Sequence, residues 1–183
     1  KVTFNTAGDL TEDMEAFYAR YLEEDVDAFA LDRKYATGFF DMLEALQGTS
    51  GEWVKGQVTG PISLGLTTTD QDLRASLYNE FLVDAIVKNA AMNARWQVRQ
   101  LKALRPNVVL SVDEPYMASF GSAYISLGRD LAIELMEEVF SGIEGSSVMT
   151  SSPGRWRKLP PKKFVTLQKS QPNGHPRVVW MVA

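Results

Sequence analysis

"NVVLSVDEPYMASFG", residues 107–121, sets two adjacent carboxylates, Asp113 and Glu114, directly against a run of β-branched and aliphatic residues. A carboxylate taken out of water without partners costs several kcal/mol. The pair is therefore either turn chemistry at the end of a strand or the lip of a binding site. Successive strand residues point to opposite faces, so Val108, Leu110 and Val112 share one face while Val109, Ser111 and Asp113 share the other. A second extended run, "WVKGQV", behaves alike: Val54, Gly56 and Val58 lie on one side, Lys55, Gln57 and Thr59 on the other. If the apolar faces pack on helices, the polar faces converge on a common interior with Asp113 and Thr59 at its C-terminal rim. Barrel enzymes place their sites at that rim, and Gly56 would let a helix approach the sheet closely.

Working outward, helical and extended patterns alternate. Asp9 with Glu12 three residues on predicts a capped helix through about Glu24. A second helix is expected in "ATGFFDMLEAL", and "QGTSGE" breaks the chain after it. From Asp72 to about Leu104 the pattern is helical, with Leu77, Phe81, Leu82 and Ile86 on one face, and Pro106 ends it. Leu131, Leu135, Val139 and Ile143 mark a last amphipathic helix, and "VDAFAL" is a weaker strand candidate. Strands separated by long helices indicate parallel βαβ units in the α/β class. Plainer readings stand beside the site: polar strand faces can meet water at a sheet edge. "TGP" (59–61) can be only a turn, and "DEP" (113–115) only a strand-ending one. Both signals follow strands, however, and both keep polar groups on one face.

The charge is sharply divided. Residues 146–183 hold 7 of the 19 Lys and Arg and none of the 23 Asp and Glu, leaving −11 over residues 1–145 and +7 beyond. Five of the eight prolines also fall in this second part, where proline blocks helix and central strand alike. One folded domain is expected over 1–145, followed by a basic tail over 146–183 that is poorly ordered or irregular, within which "KFVTLQ" and "RVVWMVA" have strand-like composition. A basic run can track a phosphate backbone, but this composition fits a solvated segment better, so nucleic acid is not an expected partner. The absence of Cys removes disulfides and thiolate ligands, and the single histidine, His175, stands in the turn-like "PNGHPR" with no second ligand at metal spacing. No stretch reaches the roughly 18 consecutive apolar residues of a membrane span, and the expected location is the cytoplasm. Lys1 at the start suggests a processed or truncated beginning.

On "VKGQVTGPISLG", "NARWQVRQLKAL" and "VVLSVDEPYMASFGS", the chain resembles the barrel family that includes cobalamin-independent methionine synthase and uroporphyrinogen decarboxylase, most of all its methionine-synthase-like bacterial members. The resemblance covers residues 1–145. It implies a (β/α)8 TIM-barrel fold, here partial because a closed barrel takes about 250 residues, with the atypical C-terminal tail attached. It also implies methyl transfer to a thiol, with zinc deprotonating the thiol in intact members. The family's zinc ligands are His, Cys and Glu on later strands, beyond the point where this sequence turns basic, so no metal is expected to be bound by this chain. Asp113 inherits the role of holding the amino group of a homocysteine-like substrate. Lys55, Gln57, Thr59 and Glu114 are the other candidate substrate-binding residues. Glu114 has no firm role: a salt bridge or a loop hydrogen bond would satisfy it equally well.

Three functional expectations follow. The first is a methyltransferase barrel part that retains an amino-acid thiol pocket and is inactive by itself. The second is a non-catalytic binding or assembly module that self-associates through open strand edges. The third is a metal-free enzyme of the uroporphyrinogen decarboxylase kind, disfavoured by "DEPYM" and by an acidic start without clustered arginines.

Overall fold

A computed structural model describes residues 2–141 and 143 and the three strand segments 147–153, 164–169 and 177–182. In chain order the elements are β1 (Thr3–Phe4), α1 (Thr11–Leu22), a 3-10 turn (Val26–Phe29), α2 (Thr37–Leu46), β2 (Trp53–Thr59), α3 (Pro61–Thr67) and β3 (Thr69–Asp70). There follow a 3-10 turn (Ser76–Tyr78), α4 (Glu80–Lys102), β4 (Asn107–Asp113), a 3-10 segment (Pro115–Ser119), α5 (Arg129–Ser141) and strands β5 (Ser147–Pro153), β6 (Phe164–Lys169) and β7 (Arg177–Val182). The chain is thus mixed α/β, as its alternating patterns predict.

The main sheet runs β2-β4-β5-β7-β6. Its first three strands are parallel, joined by helical crossovers, and β7 is antiparallel to both β5 and β6. Among the described residues the sheet is open, with β2 and β6 at its edges, and no closed barrel is seen. β1 and β3 form a separate two-residue parallel ladder. Within the basic segment, the two stretches of strand-like composition fall in β6 and β7. The sequence carries no strand reading for β5, where Ser and Thr outnumber apolar residues. His175 lies outside the described residues.

Helices cover one face of the sheet. Leu82, Ile86, Ala90, Ala94, Val98 and Leu101 of α4 recur at helical spacing and are buried. Ala90, Ala94, Val98 and Leu101 meet Val54 and Val58 of β2 and Val108, Leu110 and Val112 of β4 in one core, which Leu135 and Val139 of α5 complete. Fully burying a Leu or Val side chain stabilises by about 1.5–3 kcal/mol, so this single layer dominates the energetics of the domain. Gly56 permits the close approach expected of it: a Cβ there would lie 2.8 Å from Leu101 Cδ1 and 3.1 Å from Gln97 Oε1. Gln97 is buried and donates from Nε2 to Gln57 O (3.0 Å) and to Asn93 Oδ1 (3.0 Å), and Asn93 Nδ2 donates to Phe29 O (2.8 Å). This chain of amides ties α4 to edge strand β2 through a main-chain carbonyl.

Several local expectations are corrected. "VDAFAL" is a 3-10 turn rather than a strand, because the Asp25 side chain accepts from Ala28 N and caps it. The helix read from Asp72 begins at Glu80, where Asn79 Oδ1 accepts from Phe81 N and Leu82 N. Before it, Asp70 Oδ1 accepts from Asp72 N and Arg74 N and folds the segment into a tight turn. Phe81 is 75 % exposed and Leu131 is 44 % exposed, so neither lies on its helix's buried face. Helix α3 was signalled only by Pro61, which occupies the first turn where a missing N–H costs nothing.

Candidate polar site at the ends of β2 and β4

Parallel pairing aligns Lys55 with Val109, Gln57 with Ser111 and Thr59 with Asp113. The side chains of Lys55, Gln57 and Thr59 therefore emerge on the same face as Ser111 and Asp113, opposite the helices. Lys55, Gln57 and Thr59 are exposed, Asp113 is half-buried and Ser111 is buried. Lys55 Nζ donates to Gln57 Oε1 (3.2 Å), and Ser111 Oγ donates to Asp113 Oδ1 (2.6 Å). Across the rim, neighbouring strands lie about 4.8 Å apart, so Thr59 and Asp113 form the compact part of the site. Lys55 stands roughly 13 Å down the strand from that rim, at about 3.3 Å per residue, and would contact a different part of a ligand. A carboxylate flanked by hydroxyls and an amide can accept a cationic amine and orient it through neutral hydrogen bonds.

Glu114 belongs to the other face. It continues the Val108–Leu110–Val112 side and is 1 % exposed. Its Oε1 accepts from Ile62 N (2.8 Å) and its Oε2 from Ser63 N (2.7 Å), the first turn of α3. A loop hydrogen bond, doubled, is thus what satisfies it. The carboxylate lies flat on Gly60, where a Cβ would come within 2.5 Å of Glu114 Cγ and closer still to Cδ and Oε1. Ser63 Oγ accepts from Tyr116 N (3.2 Å), and Gly60 N donates to Asp113 O (2.8 Å). "TGP" and "DEP" are consequently two halves of one interlocked turn. Burial pushes the Glu114 carboxyl up to about 6; hydrogen bonds from Ser63 and Ile62 oppose that rise and the Asp113 charge adds to it.

Of the five candidate residues, the fold brings Lys55, Gln57, Thr59 and Asp113 to one face and sets Glu114 beneath the rim as a brace. Ile62 and Ser63, whose main-chain N–H groups hold it, have no sequence signal beyond the "GP" pair just before them. The zinc centre of the resembled family does not fit these residues. The chain has no Cys and one His, and among the described residues no group of three or more His, Cys, Asp or Glu could hold a metal ion. No helix among the described residues is long and apolar enough to cross a membrane. Compared with protein-family models, curated proteins and solved structures, the chain matches none.

Proposed function

We propose that the polar face of β2 and β4 is a ligand-binding wall of a partial TIM barrel of the methionine-synthase type, acting in the cytoplasm on an amino-acid thiol such as homocysteine. The reading rests on the resemblance of residues 1–145 to that family. The observation that carries it is the pairing of Thr59 with Asp113 on the sheet face opposite the helices, with the two turns beyond them locked together. In this reading Asp113 holds the substrate amino group, Thr59 and Gln57 complete its hydrogen bonds, and Lys55 meets a more distant polar group. The donor set for the family's metal is missing, so the reading is of substrate binding without methyl transfer by this chain.

Calorimetry with homocysteine tests it. The full chain should release binding heat that Asp113→Ala abolishes or weakens at least about tenfold, the loss expected for a charge-assisted hydrogen bond. Equal heats for both proteins remove Asp113 from any site. A second reading, assembly between copies, is favoured by β2, an edge strand among the described residues, and by Trp53, 58 % exposed on it. Sedimentation across a dilution series distinguishes the two readings: a concentration-independent monomer rejects assembly.

A further inference from the structure

Glu114 is the one deeply buried carboxylate among the described residues, and the proposed binding reaction does not use it. Two donors converge on its two oxygens, the main-chain N–H groups of Ile62 and Ser63. That geometry suits an ionised carboxylate, which is acceptor-only; a proton on either oxygen puts a donor beside an N–H and weakens that oxygen as an acceptor. The side chain lies so close over Gly60 that a Cβ there would come within 2.5 Å of Glu114 Cγ. The segments joined are the turns that follow β2 and β4: Gly60 N also donates to Asp113 O, and Ser63 Oγ also accepts from Tyr116 N.

We propose that Glu114 is a proton-operated latch: charged, it ties the start of α3 to the end of β4, and neutral, it releases one of the N–H groups it holds. The Gly60–Ser63 turn then loosens from the Asp113–Tyr116 turn, and the rim spacing of Thr59 and Asp113 changes with it. The charge balance around the group sets the working range. Helix α3 carries no ionisable residue, and the 3-10 segment after Glu114 carries only Tyr116. The sequence of β5, which packs on that segment, has none either. Lys55 of β2 is on the opposite sheet face. Asp113 is the charge that acts on Glu114, in the same sense as burial, and the two together bring the transition to about pH 6. The latch does not depend on what binds at the rim.

Amide hydrogen exchange on the full chain tests it, read as protection factors at Ile62 and Ser63 between about pH 7.5 and about pH 5. Protection should fall roughly tenfold or more on acidification, the equilibrium loss expected for one charge-assisted hydrogen bond. Leu110 and Val112, in the centre of the ladder, should hold theirs. Glu114→Gln should show the low protection at both pH values. Unchanged protection in the parent chain, or a surviving transition in Glu114→Gln, overturns the latch. If the variant fails to fold, the parent alone suffices: the Glu114 carboxyl carbon should titrate near pH 6 together with the Ile62 and Ser63 amides. A carboxyl that titrates without moving those amides overturns it equally.

Discussion

Gly60→Ala is the most exacting test of the interlocked turns, because it adds one methyl group at a position whose backbone would accept it. Gly60 has φ −69° and ψ 156°, ordinary extended backbone for any residue, so no conformational strain enters. The cost is wholly that of displacing Glu114, whose Cγ would be 2.5 Å from the new Cβ. Overpacking of this kind costs about 1–3 kcal/mol. Moving the carboxylate leaves it short of its N–H donors, which adds about 1–3 kcal/mol. A loss near 3 kcal/mol is expected in urea unfolding, read as a lower midpoint at unchanged slope. In a Glu114→Ala background the space is already open, and Gly60→Ala should cost less than about 0.5 kcal/mol, which gives a coupling of about 2 kcal/mol or more between the two positions. Additive effects, or a Gly60→Ala chain as stable as its parent, would refute the reasoning.

Three further outcomes are expected. Gly56→Ala should lose about 1–3 kcal/mol in the same assay, since its Cβ meets Leu101 Cδ1 at 2.8 Å and Leu110 Cδ1 at 3.1 Å; a neutral result would mean that α4 can move off β2 freely. Gln97→Leu should cost about 1–3 kcal/mol by stranding Gln57 O and Asn93 Oδ1, and exchange of β2 amides should quicken more than that of β4. The pH dependence follows from Glu114, whose carboxyl is raised from 4.5 to about 6 on folding. Its contribution is full below pH 4.5 and about 2 kcal/mol is lost as pH rises through about 6, because the folded state then carries a buried charge. Relief of that charge outweighs the hydrogen bond released on protonation. Glu114→Gln should flatten this part of the stability profile, and parallel curves for the two proteins would contradict it.

The legible parts of the fold were those where local chemistry and burial agree. Alternation in Trp53–Thr59 and Asn107–Asp113 identified both strands and their polar and apolar faces; in β2 the polar side chains are exposed, whereas in β4 Ser111 is buried and Asp113 half-buried. Gly56 was read as a point of close helix approach, and Leu101 and Gln97 fill that space. Where one side chain redirects the backbone, periodicity misled: Asp25 and Asp70 accept main-chain N–H groups and turn strand-like or helix-like runs into tight turns. Phe81 matched the helical spacing and yet points to solvent, since the face is set by Leu82, Ile86 and Ala90 once Asn79 starts the helix. For the site, the common face of Lys55, Gln57, Thr59 and Asp113 was visible from alternation alone. The role of Glu114 was not, because its partners lie 51 and 52 residues away and are main-chain groups that carry no residue identity.

The polar face of the sheet as a binding wall is tested most directly by an amide-resolved NMR titration of the full chain with homocysteine at neutral pH. Saturable shifts concentrated at Gln57, Thr59 and Asp113, and lost in Asp113→Ala, are the predicted result. Unmoved resonances at those three positions in the presence of excess ligand would contradict it.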